Sequence, residues 1–201
     1  MNRVILNKFF FLIYSPLMWI INSFKGIDTK GLNYYNGFAL FVRFKDSVIK
    51  LGSRCVFNSN STSNLIGINH KCIISTLTKN SEIIIGDNCG FSGTTIGCTV
   101  SIKIGNNVRC GANTLITDTD WHMDDPRSGK CKPIIIEDNV WLGINSSVLK
   151  GVTIGKNSVI GAGSVVTKNI PANVIAAGNP CRVIKKIEED IIKKLDNKYE
   201  Y

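Results

Sequence analysis

Only two of the 201 residues are histidine, His70 and His122, so no three-imidazole zinc centre can be assembled within one chain. The cysteines number seven, an odd count, and no two stand in a CxxC spacing; they read neither as a metal knuckle nor as a disulfide framework. Acidic residues are outnumbered, 15 against 24 Lys and Arg, for a net charge of +9. No recognition-helix or RNA-binding signature accompanies that charge, which argues against a nucleic-acid partner. The longest apolar block, Phe9 to Ile21, falls short of the roughly 20 residues a bilayer span requires, and Ser15-Pro16 interrupts it. No small-residue cleavage site follows it, so it does not read as a signal peptide either.

What is present is a period of six. Ile136, Leu142, Val148, Ile154, Ile160 and Val166 each open a hexad, several followed by Gly143, Gly155 or Gly161. Such a repeat is neither helical nor that of an ordinary two-faced strand. It predicts an all-β triangular coil with one short strand per side, the opening aliphatic inward and a tight turn at each corner. Three hexads close one turn, so Ile136 is expected to stack on Ile154, and each side becomes a parallel sheet. Ile104-Gly-Asn-Asn-Val108 and Ile85-Gly-Asp-Asn-Cys89 repeat the phrase Ile136-Glu-Asp-Asn-Val140, with fainter echoes from Ile68 and Leu51. Six to seven coils, at about 4.8 Å each, make a prism roughly 30 Å long. Cys55, Cys72 and Cys89 fall at the fifth place of successive hexads, where later coils carry Val108, Val140, Ser158 and Ala176. They are expected to be small inward-facing residues, reduced as in a cytosolic protein.

The repeat is broken most visibly from Asp118 to Pro133, a polar, turn-rich stretch expected to leave the prism as an external loop. It carries His122; His70, in Ile68-Asn-His-Lys-Cys72, reads as a surface or corner residue.

Asp118-Thr-Asp-Trp-His122, Ile136-Glu-Asp-Asn-Val-Trp-Leu-Gly143, Gly151-Val-Thr-Ile-Gly-Lys156, Ile160-Gly-Ala-Gly-Ser-Val-Val-Thr-Lys168 and Ala177-Gly-Asn-Pro-Cys-Arg182 together resemble the hexapeptide-repeat acyltransferases. Among these the chain is most similar to the maltose, galactoside, nodulation and polysaccharide O-acetyltransferases, densely so from about Ile83 to Lys186. The resemblance implies a left-handed parallel β-helix, a homotrimer, and active sites in the clefts between prisms, with acetyl-CoA as donor, no metal, and a sugar or glycan hydroxyl as acceptor. It implies further that His122 is the general base, with Asp120, Trp121 and Ser92 on the acceptor side; Ser92 stands where relatives commonly have asparagine. Trp141 and the backbone around Ile144 would line the thioester end, and the Ala162 main chain would meet the pantetheine arm. Thr167, Lys168, Arg182 and Lys185 would surround the nucleotide, Lys185 replacing a frequent arginine. Asp118, Asp120 and Asp124 are all candidates to orient the imidazole.

The expected organisation is an apolar and basic segment over 1–45, the β-helix over 46–184 with its loop at 118–133, and a C-terminal helix over 185–201. Residues 1–50 hold seven cations against two acids. Two readings of the apolar block follow: a helix packed against the prism or a neighbour, or an interfacial anchor with a basic rim on the cytoplasmic membrane face. Ile187, Ile191 and Leu195 recur at helical spacing and predict an amphipathic helix capping the last coil. Besides O-acetylation, two alternatives stay open on the sequence: N-acetylation of a nucleotide-linked amino sugar, and a non-catalytic β-helix scaffold.

Overall fold

The computed structural model describes residues 3–122 and 124–198, with the side chains of 11–122 and 124–195. Helix α1 (Arg3–Phe24) leads into a stack of coils whose strands assemble into three sheets, one per side of a triangular prism. Face A runs from Asp28–Thr29 to Thr153–Ile154, face B from Tyr34–Asn36 to Val174–Gly178, and face C from Leu40–Val42 to Val165–Val166. Pairing within the stack is parallel throughout, and Ile136 lies against Ile154 as the hexads require. Leu51, Ile85, Ile104, Ile136 and Ile154 form one buried column inside face A. Inside face B the lower coils are filled by rings: Tyr35 stacks on Phe57 at 5.0 Å and Phe57 on Phe91 at 5.1 Å. Higher up, Leu142, Ile160 and Ala176 continue that column with aliphatic side chains.

The corners explain the Asp-Asn phrase. Where face A turns into face B, Asn88, Asn107, Asn139, Asn157 and Asn173 all have φ between 58 and 62°, left-handed backbone that asparagine tolerates better than most residues. Their amides form a ladder: Asn107 Nδ2 donates to Asn139 Oδ1 at 3.0 Å, Asn139 to Asn157 at 2.9 Å and Asn157 to Asn173 at 2.8 Å.

Several expectations are corrected. The coils begin at Asp28 rather than at 46, because Asp28–Thr29, Tyr34–Asn36 and Leu40–Val42 already pair with the coil above. The echo at Ile68 opens no strand. Leu51 pairs directly with Ile85, so one coil spans both 17-residue steps and releases residues 59–71 as a second excursion between faces B and C. Ile68 is buried because it packs over Gly93, not because it faces the prism axis. That insertion shifts Cys72 to a different corner from Cys55 and Cys89. It sits below Thr94, Thr114, Ser146 and Ser164, all buried, whereas Cys55 and Cys89 continue through Val108, Val140 and Ser158 to Val174. Ala176, placed in that column by the hexad count, belongs to the face B interior instead.

Helix α2 (Glu189–Lys198) does not cap the last coil. The strand Cys181–Lys186 turns back antiparallel onto Val174–Gly178 and directs the chain to the asparagine corner, where Ile187 N donates to Asn173 O at 2.8 Å. Ile187, Ile191 and Leu195 then line a cleft of about 270 Å³ with Trp141, Val159 and the asparagine ladder. Residues 199–201 of the expected helix lie outside the described residues, as do the side chains of Arg3 and Lys8.

Helix α1 closes the other end with one face. Met18 is buried, Asn22 Nδ2 donates to the Tyr35 hydroxyl at 3.1 Å, and Ser15 Oγ accepts from Tyr35 N at 3.1 Å. Tyr14 meets Phe38 edge-on at 5.0 Å.

If the ladder holds the corners, Asn139→Ala should destabilise the protein by about 2–3 kcal/mol, through left-handed strain and two lost amide bonds. Asn139→Gly should lose roughly half of that. Urea denaturation of the two variants checks it, and equal losses would contradict the strain component.

Candidate active site

The loop that carries His122 leaves the prism after the face C strand Leu115–Thr117 and returns at the face A strand Ile134–Ile136. Its root is Asp118. This carboxylate is fully buried and accepts three successive backbone N–H groups, from Thr99 at 2.6 Å, Val100 at 2.7 Å and Ser101 at 3.0 Å. Asp118 N donates to Gly97 O at 3.3 Å and Asp118 O accepts from Lys132 N at 3.2 Å, joining the loop's two ends. Asp118 is thus committed to the loop base and is withdrawn from the candidates for orienting the imidazole.

Asp120 is committed as well. Its carboxylate pairs with Lys150 and accepts from Gly129 N at 3.1 Å, and the Lys150 ammonium beside it holds the group below the usual carboxylate range. Lys150 also donates to Gly129 O at 3.0 Å, so one lysine from the coil above ties both arms of the loop. Asp124 is exposed. The His122 main chain is held on both sides: its N–H donates to Asp120 O at 2.9 Å, and its carbonyl accepts from Asp125 N at 3.1 Å and from Ser128 Oγ. His122 itself is exposed at the loop surface.

The residues assigned to the donor fall into two groups. Ile144 and Ala162 lie one above the other at the corner between faces B and C. A β-carbon on Gly111 would come within 2.6 Å of Ile144 N, and one on Gly143 within 2.6 Å of Ala162 N. Above them Ala177 lies opposite Arg182, and Lys185 stands beside Ile175 on the same face. Trp141 is 55% exposed on face B, in the same lateral row as Arg109 and Val159. Thr167 and Lys168 lie elsewhere, at the corner between faces C and A, with Lys168 one coil above Lys150. The fold therefore brings Thr167 and Lys168 towards the His122 loop and gathers Ile144, Ala162, Arg182, Lys185 and Trp141 on the far side of face C.

Ser92 is only 6% exposed. Its hydroxyl accepts from Asn58 Nδ2 at 3.2 Å and from Asn64 Nδ2 at 3.2 Å, so the second excursion folds over it. Asn36 donates in turn to Asn58 Oδ1 at 2.8 Å. Sequence reasoning missed Asn58, Asn64 and Lys150, whose partners lie 34, 28 and 30 residues away. It also missed Gly97, although an isolated glycine inside a strand pattern is a recognised mark of close approach. His70 is exposed, as expected, its Nδ1 lying 2.8 Å from Lys71 O.

Among the described residues no cluster of metal-ligating side chains occurs. Asp118→Ala should destabilise the protein by about 3 kcal/mol, since a buried side chain and its hydrogen bonds to three successive backbone N–H groups are lost together. Asp120→Ala should change stability by about 1 kcal/mol or less, its ion pair being partly exposed. Denaturation curves that reversed this order would contradict the assignment of Asp118 as the loop root.

Residues 133–168 match the family described as the hexapeptide repeat of succinyl-transferase. The galactoside O-acetyltransferase of Lactococcus lactis is 46% identical over 124 residues, 59% of each chain. That of Escherichia coli is 47% identical over 93 residues, 44% of this chain and 46% of its own. The chain thus spans about half the length of these relatives. In architecture it resembles AntD, an N-acyltransferase from Bacillus cereus solved with dTDP and 3-hydroxybutyryl-CoA: the TM-score is 0.68 and the identity 19%, covering 90% of this chain and 94% of that one. Residues 133–168 thus carry the hexapeptide repeat, and the chain is built as a left-handed parallel β-helix, the architecture of hexapeptide-repeat acyltransferases.

Proposed function

We propose that this protein transfers an acetyl group from acetyl-CoA to a hydroxyl of a sugar or glycan, with His122 as general base. The carrying observation is the exposed imidazole on a loop whose main chain is clamped by Asp118, Asp120 and Lys150. The neutral ring takes the hydroxyl proton as the oxygen attacks the thioester carbonyl. When the tetrahedral adduct collapses, the C–S bond breaks and the imidazolium returns the proton to the departing thiolate. Proton transfer of this kind contributes roughly 10²- to 10⁴-fold, and holding both substrates in one cleft supplies much of the remaining acceleration. Relatives named galactoside O-acetyltransferase, at 46% and 47% identity over the matched segments, favour a hydroxyl acceptor over an amine.

The functional unit in this reading is a homotrimer. His122 lies at the corner between faces C and A, whereas Trp141, Ile144, Ala162 and Arg182 lie on face B or its corner with face C. A cleft containing both sets is completed when the loop of one chain meets face B of its neighbour. Arg182 and Lys185 of one chain and Lys168 of its neighbour supply cations for the CoA phosphates, with Thr167 next to Lys168.

His122→Ala should lower kcat by about 10²-fold or more with little change in acetyl-CoA affinity. Nearly full turnover at saturation would end the base assignment. Co-refolding His122→Ala with Trp141→Ala in equal amounts should restore about a quarter of wild-type turnover, the fraction of clefts that receive both intact residues in randomly mixed trimers. Activity no greater than that of the two parents would place the site within one chain.

The proposed location is the cytoplasm, at the membrane surface. No helix among the described residues is long and apolar enough to cross a membrane. The outer face of α1 nevertheless exposes Leu12, Ile13, Trp19, Ile20 and Phe24, the last 89% exposed, and Lys25 and Lys30 follow it. An apolar groove of about 380 Å³ opens beside it, lined by Phe11, Leu12, Pro16, Leu32 and Tyr34. Such a face with a cationic margin suits an anionic lipid interface, and three copies in a trimer would act together. The full chain should float with anionic liposomes, and Leu12→Gln/Trp19→Gln/Phe24→Gln, which spares the packed face, should not. Equal flotation of both would remove the membrane assignment.

A further inference from the structure

Gly97 lies on the strand Thr95–Cys98 of face C, paired with Thr117 in the coil above. A β-carbon built on it would fall 2.5 Å from Trp121 Cζ2 and 3.1 Å from Cη2, and its three nearest neighbours are all atoms of that indole. The backbone at Gly97 is not left-handed, so glycine is not required there by conformation. The only thing its missing side chain accommodates at close range is the tryptophan.

Trp121 is held in an unusual state. Its φ is 68°, a region that bulky side chains adopt only when their surroundings enforce it. Its N–H donates to Thr119 Oγ1 at 3.2 Å, and Thr119 is itself buried, with its carbonyl accepting from Thr117 Oγ1 at 3.1 Å. Half of the tryptophan remains exposed, so the indole is seated by its outer ring rather than engulfed. The next residue is His122. Two anchors therefore flank the short run into it: the Asp118 carboxylate under the 99–101 amides, and the Trp121 indole in the notch at Gly97.

We propose that Gly97 is a positioning residue for the transfer reaction: the notch it leaves seats the Trp121 indole, and the seated indole sets where the His122 imidazole meets the acceptor hydroxyl. This rests on His122 being the base. It gives Trp121 a task distinct from touching the acceptor, and it explains why a residue with left-handed backbone here carries so large a side chain.

The test is a cycle of Gly97→Ala, Trp121→Phe and the double variant, in the full-length protein. For each, kcat, KM for acetyl-CoA, the melting temperature, and the rate of trypsin cleavage after Arg127 and Lys130 are measured. Gly97→Ala should lower kcat roughly ten- to a hundredfold, as small misplacements of a catalytic group do, with KM for acetyl-CoA within about twofold and melting nearly unchanged. Loop cleavage should accelerate. Phenylalanine lacks the ring atoms that collide with the new methyl, so the double variant should turn over as fast as Trp121→Phe alone. Unchanged cleavage in Gly97→Ala, or additive losses in the double variant, would overturn the seat. Faster cleavage with unchanged kcat would overturn the link to catalysis and leave Gly97 a loop-packing residue. His122→Ala, assayed alongside, separates this outcome from failure of the base assignment, because it tests the imidazole without touching the notch.

Discussion

A chain that closes a triangle every three hexads must turn sharply at each corner, and here the corner between faces A and B passes through left-handed backbone at Asn88, Asn107, Asn139, Asn157 and Asn173. Asparagine meets the conformational demand at modest cost and uses its amide to bond the next corner, so each coil is registered on its neighbour outside the core as well as inside it. Everything functional depends on that register. It puts Ile144 and Ala162 in one file along a corner and Gly111, Gly143, Gly161 and Ala177 in the file beside it, where the close approach of coils at the three glycines leaves little room for side chains.

On so regular a scaffold, specificity falls to the interruptions. The excursion over 59–71 leaves between faces B and C, and the loop over 118–133 leaves between faces C and A, so the two flank face C. Each is tied down by long-range polar contacts. Asn113 accepts from Asn69 N at 2.9 Å and donates to Gly67 O at 3.0 Å, while Lys150 bonds both Asp120 and Gly129. The coils thus act as a rigid frame for CoA recognition, and two clamped loops carry the proton chemistry and the acceptor contacts in the reading proposed above.

Much of the architecture was legible because a six-residue period admits few folds: the face A column from Ile85 through Ile154 follows directly from the repeated phrase. The same arithmetic misled at Ile68. Two steps of 17 imitate two coils, and only strand pairing reveals one coil of 34 residues with an excursion inside it. The C-terminal helix was legible as amphipathic, but not its destination, which is set by the antiparallel turn of Cys181–Lys186. His122 stood out by scarcity and by its place in a broken repeat. The Asn64 bond to Ser92, the Lys150 bond to Asp120 and the Trp121 seat on Gly97 were illegible, because each joins residues that local pattern does not relate.

The central claim is acetyl transfer to a sugar hydroxyl. Its most direct measurement is acceptor-dependent release of free CoA thiol from acetyl-CoA across a panel of sugars, sugar nucleotides and lipid-linked glycans, with mass analysis of the product. The account predicts saturable thiol release matched one for one by an O-acetylated glycan. Thiol release matched only by N-acetylated amino sugars would contradict the hydroxyl acceptor, and the absence of both saturable CoA binding and thiol release would contradict the enzymatic reading altogether.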